Sequence, residues 1–317
     1  MSIMTKGCLS AALVVAALAL PAHALAQTVG VGTMSQGTIS YTTGSVISRV
    51  MNEDMGLQAR VQPSSGETVL IPLLNNGDVD FGIANVLEAY QAYTGTGVFE
   101  GRAQENLRVA GVVFPLRTAM FVRADSDIHT LADLEGKRVT MGFSAMGTID
   151  QVMAAVLANA GLERGDIQPV MVPNVVAGAE QLQNGRADAF FFALGGAKPS
   201  EVNASVPLRV LPMNNDAESI ERMQAIFPDG YIDVAEPLPN YVGMDEPTAV
   251  LAYDNLLLTN STVSEEMMRT VLDGLIAEKD SLVAGLPLFN ELTAEDIYKP
   301  QLQTPYHQAV IDWANGQ

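Results

Sequence analysis

Cysteine is nearly missing from these 317 residues, and the single one, Cys8, lies close to the start. Disulfide frameworks and cysteine-based zinc or redox sites are thereby excluded for the rest of the chain. Histidine is almost as scarce: His23, His129 and His307 are too few and too far apart for a metal cluster. No EF-hand-like loop is present either, although a count of this kind leaves an all-carboxylate calcium site open. Basic residues are sparse, with 17 Lys and Arg against 36 Asp and Glu and a formal charge of −19. Nucleic-acid binding, which needs a basic face, is not expected. The charge favours solubility, and any attraction of cationic ligands is screened beyond ~8–10 Å at physiological salt. Catalytic signatures are lacking too. Gly142-x-Ser144-x-x-Gly147 misses the spacing of a nucleophile elbow, and no histidine follows an acid in triad order. The loop from Gly32 to Gly37-Thr38 lacks the lysine of a phosphate-binding loop. No metal, cofactor or catalytic residue is expected.

What is present begins with an export signal. Lys6, an apolar run from Leu9 to Leu20, Pro21 and Ala24-Leu25-Ala26 before Gln27 follow the charged, apolar and cleavage-site order of a secretory leader. The run is shorter than the ~20 residues of a membrane span. Residues 1–26 are therefore expected to be removed after Ala26, releasing a soluble protein.

The mature chain contains one half-domain twice. Gly32-Thr33-Met34-Ser35-Gln36-Gly37-Thr38-Ile39 recurs as Gly142-Phe143-Ser144-Ala145-Met146-Gly147-Thr148-Ile149, and Pro63 recurs in register as Pro173. Leu74-Asn75-Asn76-Gly77-Asp78-Val79-Asp80-Phe81 then matches Leu182-Gln183-Asn184-Gly185-Arg186-Ala187-Asp188-Ala189 after a short loop deletion. Each copy reads strand, polar turn, helix, strand, polar turn, helix, strand, which predicts an α/β fold of two lobes, each a mainly parallel sheet flanked by helices. Ligands of such sheets bind beyond the carboxyl ends of the strands, where the polar turns sit. Two apolar extended stretches, Val109 to Val122 and Val250 to Leu258, read as the crossings between lobes. The first lobe is accordingly assigned residues 27–116 and 251–317, and the second residues 117–250. A terminal helix capped at Ser264 is expected to pack back on the first lobe. The segment Phe227 to Pro247, with isolated prolines and no period, reads as a long ordered loop.

The turns are the candidate binding surface. The first N–H groups of a helix lack internal partners and carry partial positive charge, and glycine lets a ligand oxygen approach them. Ser35, Gln36, Gly37 and Thr38 offer this in the first lobe; Ser144, Met146, Gly147 and Thr148 offer it in the second. Plain N-capping is the competing role. Duplication of the turns on facing lobes is what argues for ligand contact. Ser64, Ser65, Gly66 and Glu67 form a second turn, where Glu67 either closes a capping box or accepts a hydrogen bond from a ligand. Asn85, at a strand end, either bonds its own turn or offers a donor and an acceptor to a ligand. Arg117, beside the expected hinge, either clamps a carboxylate or pairs with a nearby acid. Phe190-Phe191-Phe192 reads as strand core, with Phe192 a candidate for the cleft wall. Specificity is expected where the two turns differ, at Met34, Gln36, Phe143 and Met146.

With these residues in view, the chain resembles the TAXI family of solute-binding receptors that serve TRAP transporters. The resemblance rests on Pro63-Ser-Ser-Gly-Glu-Thr-Val, Asn76-Gly-Asp-Val-Asp-Phe-Gly-Ile-Ala, Gly95-Thr-Gly-Val-Phe, Gly185-Arg-Ala-Asp-Ala-Phe-Phe-Phe-Ala-Leu-Gly-Gly-Ala and Thr304-Pro-Tyr-His-Gln-Ala, in that order. It implies a two-lobed periplasmic binding protein of type II, or Venus-flytrap, form. Such a protein is a monomer that captures a small organic acid or amino acid without catalysis and presents it to TRAP transporter membrane subunits. The first loop departs from the family: Met34-Ser35-Gln36 replace part of a glycine run, and Ile39 stands where an aromatic hydroxyl is expected. A receptor feeding a sensor kinase and an exported enzyme with a two-lobed site are the alternatives.

Overall fold

The computed structural model describes residues 28–316. The predicted leader and its cleavage site after Ala26 lie outside the described residues.

Both copies of the repeat fold alike. The first runs β1 (Thr28–Thr33), α1 (Ile39–Glu53), β2 (Gln58–Pro63), α2 (Glu67–Asn76) and β3 (Phe81–Asn85), followed by α3 (Val86–Thr94) and the long β4 (Leu107–Arg123). The second runs β5 (Arg138–Met141), α4 (Ile149–Asn159), β6 (Gln168–Met171), α5 (Val175–Gln183) and β7 (Ala189–Ala193). It continues through α6 (Ala197–Ser205), β8 (Leu208–Leu211), α7 (Ala217–Gln224), β9 (Tyr231–Ala235) and β10 (Thr248–Asn260). The chain closes with α8 (Glu265–Ala277), α9 (Lys279–Gly285), α10 (Ala294–Ile297) and α11 (Gln308–Ala314).

Within each copy the strands pair in parallel, β1 with β2 and β3, and β5 with β6 and β7. The matched acids do the same work: Asp80 Oδ2 accepts from the Gly30 N–H at 2.7 Å, and Asp188 Oδ2 accepts from the Arg138 N–H at 2.8 Å. In both cases a carboxylate just before the third strand ties down the first. α1 forms because Thr38 caps it and because Ile39, Val46, Ile47, Val50 and Met51 recur on one buried face.

β4 and β10 join the copies into one sheet of order β2-β1-β3-β10-β4-β7-β5-β6. They pair antiparallel along their length. The first part of β4 lies in the β1–β3 half, while Thr118 to Val122 pairs with β7 and Met120 to Arg123 with β8. β10 contributes Asn255 to Thr259 to β3. Its earlier residues pair with β9. These strands are buried along most of their length, with Phe121 stacked on Phe190 at 5.1 Å and Phe114 edge-on to Phe289 at 5.4 Å. α8 packs back beside the first copy, with Ser264 Oγ accepting from the Met267 N–H, and Gly274 set against Met55.

The helix α5 starts at Val175, where Asn174 caps it through the Ala177 N–H. One local reading changes. The proline-containing segment after Phe227 is not all loop: Tyr231 to Ala235 forms β9, antiparallel to β10. Its prolines fall outside the paired residues, so nothing in it denies the ladder its donors. Among the described residues, no helix is long and apolar enough to cross a membrane.

Candidate functional site

A cavity of about 60 Å³ lies where the halves meet, below the carboxyl ends of β3 and β7. That is room for a few water-sized groups, at roughly 10–15 Å³ each. Its walls are mostly apolar: Met34, Ile39, Ile83, Leu116, Met146, Ile149, Val175, Phe191 and Phe192. The polar lining is Thr38, Ser40, Asn85, Glu88, Thr118, Tyr253 and Asn255. No lysine, arginine or histidine lines it among the described residues.

Three helix N-termini converge here, and each is capped by the protein itself. Thr38 Oγ1 accepts from the Tyr41 N–H at 3.2 Å and donates to the Ser35 carbonyl at 2.8 Å. Asn85 Oδ1 accepts from the N–H groups of Leu87 and Glu88, while Glu88 Oε2 accepts from the Asn85 N–H, all at 3.0 Å. That reciprocal pair is a capping box. The third case crosses the cleft. Glu67 Oε1, on the first lobe, accepts from both the backbone N–H and Oγ1 of Thr148 on the second, each at 3.0 Å. A side chain thus occupies the place the sequence reading gave to a ligand oxygen.

Further contacts close the cleft. The Lys198 N–H donates to the Gly37 carbonyl at 3.1 Å. Thr68 Oγ1 donates to the Ala145 carbonyl at 3.2 Å, and Gln91 Nε2 donates to Gln151 Oε1 at 2.6 Å. Gly66 packs so closely that a Cβ there would lie 1.9 Å from the Ala145 oxygen. This is the closed arrangement of the lobes.

Burial governs the acids. Glu67 has no solvent exposure, and desolvation lifts its pKa from the ordinary 4.5 to about 7 against the opposing hydrogen bonds from Thr148. Its Oε2 has no hydrogen-bond partner. Glu88 is pushed well above the carboxylate range, first by burial and then by the neighbouring Glu67. The Tyr253 phenol is likewise raised by burial and by Glu88. Burial thus disfavours the charged form of all three.

The sequence-predicted residues sort into groups. Thr38, Asn85, Met146 and Phe192 line the cavity. Gly37, Gly66, Glu67, Gly147 and Thr148 make the contact between lobes, Gly147 facing Val98. Ser35 and Ser64 brace the first turns, Ser35 Oγ donating to the Ser64 carbonyl and Ser64 Oγ to the Thr33 carbonyl. Gln36, Ser65 and Ser144 are exposed and outside the cavity lining. Of the residues expected to carry specificity, Met34 and Met146 line the cavity, whereas Phe143 is buried elsewhere in the core.

Arg117 departs from the carboxylate-clamp reading. Its guanidinium is taken by Asp233 Oδ2 at 2.6 Å and by both oxygens of Glu291 at 2.6 and 2.9 Å. The bidentate bond to Glu291 is the main cause that raises its pKa. Arg117 is a strut tying β4 to β9 and to the C-terminal segment. Arg117→Met is expected to lower stability by about 1–3 kcal/mol, the worth of hydrogen bonds between charged groups, and to leave solute affinity unchanged. Chemical denaturation beside calorimetric titration checks both, and a lost affinity at unchanged stability would restore the clamp.

Sequence reasoning missed Ser40, Glu88, Thr118, Tyr253 and Asn255. Two signals were visible: Asn85-Val-Leu-Glu88 has capping-box spacing, and Tyr253-Asp254-Asn255 interrupts an otherwise apolar run.

The fold and the sequence have relatives. PhnD1 from Prochlorococcus marinus, solved with methylphosphonate, aligns at a TM-score of 0.55 with 12% identity over 91% of this chain and 97% of that one. The periplasmic aliphatic sulphonate binding protein SsuA from Escherichia coli aligns at 0.50 with 14% identity over 92% and 84%. XAC2383 from Xanthomonas citri, bound to chloride, aligns at 0.51 with 12% identity over 91% and 96%. At such identities the likeness concerns the fold, which is the two-lobed fold of periplasmic binding proteins. The family model described as NMT1-like matches residues 31–311, nearly the whole described chain. This chain therefore belongs to the NMT1-like family.

Proposed function

We propose that this chain is an extracytoplasmic solute-binding protein. It captures a small organic solute between its lobes without catalysis and delivers it, as a monomer, to a TRAP-type secondary transporter. The observation that carries the reading is the cavity between lobes that touch each other directly across it. PhnD1 and SsuA, which share the fold, are described with a methylphosphonate and as a sulphonate binder. The TAXI motifs favour a carboxylate or amino acid as the solute and TRAP membrane subunits as partners. The predicted leader supports an exported location.

The mechanism is a population shift. We place the hinge near residues 116–117 of β4 and 250–251 of β10, where each strand passes from one half of the sheet to the other. A solute that contacts both lobes favours the closed form by its differential affinity. Taking that form from about 1% to 99% needs roughly 5.5 kcal/mol. A few hydrogen bonds and the burial of an apolar body supply this.

The test is a melting-temperature screen against organic acids, amino acids, sulfonates and phosphonates. A solute at 100 times its dissociation constant adds about 2.7 kcal/mol. Absence of any shift, with no small molecule released on denaturing the purified protein, would overturn solute capture. For the partner, uptake in proteoliposomes carrying TRAP subunits should follow an ion gradient; a strict requirement for ATP would overturn that assignment.

A further inference from the structure

The polar groups around the cavity divide into those already engaged and those with bonding capacity left. Thr38, Asn85 and the α3 end are satisfied by capping. Ser40 Oγ donates to the Ile83 carbonyl and accepts from the Met34 N–H, and Thr118 Oγ1 donates to the Leu251 carbonyl. Among the described residues lining the cavity, the buried atom left without a partner is Asn255 Nδ2, and Glu88 and Tyr253 line the same cavity. Asn255 is 2% exposed, and its Nδ2 has no hydrogen-bond partner. It stands opposite Asn85 in the β10–β3 register, and the β10–β4 register shifts immediately after it. Such irregularities re-aim side chains beside binding sites. An unpartnered amide in an apolar wall is costly unless a ligand satisfies it.

Among the described residues, no cationic side chain lines the cavity. Arg117, next to Thr118, is paired with Asp233 and Glu291, and Lys198, whose N–H meets the Gly37 carbonyl, is paired with Glu180 and Glu201. The α4 N-terminus is occupied by Glu67. An anionic solute would bring a negative charge into this apolar surrounding with no partner for it.

Resting on the proposed solute capture, we infer that the closed cleft admits the solute's polar head only in uncharged form, a carboxamide or an un-ionised carboxylic acid, seated against Asn255, Glu88 and Tyr253. Such a head places an acceptor beside a donor. The acceptor takes the free Asn255 donor, and the donor meets Glu88 or Tyr253. A carboxylate solute is then bound together with a proton, and the cavity selects among solutes by the protonation of the head as well as by shape.

The experiment uses propionamide, propionate and propylammonium as small probes that differ in head-group charge on the purified mature protein, read by thermal shift and titration calorimetry. At pH 7.5, propionamide stabilises the wild type, and the two charged probes do not. Lowering the pH recovers propionate binding, its apparent Kd falling about tenfold per pH unit while the un-ionised fraction rises. Asn255→Leu loses the response to propionamide. The inference is overturned if propionate at pH 7.5 matches propionamide, if propionamide gives no response, or if a folded Asn255→Leu responds as the wild type does. In each of those cases a shift with any other solute leaves solute capture standing, whereas no shift with any solute removes both.

Discussion

Gly66→Val holds the protein open and lowers solute affinity by at least ~100-fold, a scale set by the preference a ligand must show between two states to switch them. The reason is steric and confined to one state. A Cβ on Gly66 would meet the Ala145 carbonyl oxygen at 1.9 Å, its carbon at 2.6 Å and Met146 Cγ at 2.8 Å, all on the opposite lobe. The backbone at Gly66 is extended, with φ 173°, so valine is not strained there. Folding of each lobe is untouched, and only their approach is blocked. Gly37→Val would be a poorer test, since Gly37 has φ +96° and any side chain there adds local strain. Small-angle scattering with and without solute, beside calorimetric titration, reads the effect. Unchanged affinity together with solute-induced compaction would show that Ala145 yields and that this contact does not set closure.

Closure weakens as pH rises, and Glu67 is the group that makes it do so. In the closed form burial lifts its pKa from 4.5 to about 7. In an open form water reaches it and the ordinary value returns. A group whose pKa is raised in one state stabilises that state fully below the lower pKa, and the benefit is lost as pH climbs through the higher one. The closed form is therefore favoured below about pH 4.5 and loses that advantage between about pH 4.5 and 7. At 1.36 kcal/mol per unit the difference amounts to about 3 kcal/mol, or roughly 100-fold in affinity. Titration of a neutral solute at pH 5 and pH 8 should show it. Glu67→Gln keeps an oxygen for the Thr148 N–H but cannot ionise, so its profile should be flat. A slope that survives in Glu67→Gln would assign the effect to another group. A flat wild-type profile would show that Glu67 stays desolvated in both forms.

Local order is what the sequence carried well. The matched turns before Ile39 and Ile149 open α1 and α4, and the Asn-Gly and Asp matches place β3 and β7 with the same loop deletion. These are short-range signals: caps, left-handed glycines and apolar periodicity, each acting within a few residues. Failures came where pairing partners lie far apart. β9 is a strand because β10 runs beside it, and nothing within Tyr231–Ala235 announces that neighbour. The site was legible in outline only. Thr38, Asn85, Met146 and Phe192 border the cavity, yet the sequence alone could not tell cap from ligand contact, since a threonine or asparagine at a helix start has the chemistry for both.

By itself, then, the sequence determined a repeated α/β plan with polar turns at the strand ends, because composition and periodicity are properties of the chain. Tertiary structure alone decided what that surface holds. It brought Glu67 against Thr148 across the cleft, spent Arg117 on Asp233 and Glu291, and left Asn255 in an apolar wall without a partner. Burial and partnership fix the charge and free bonding capacity of a side chain, and both depend on residues far away in the sequence.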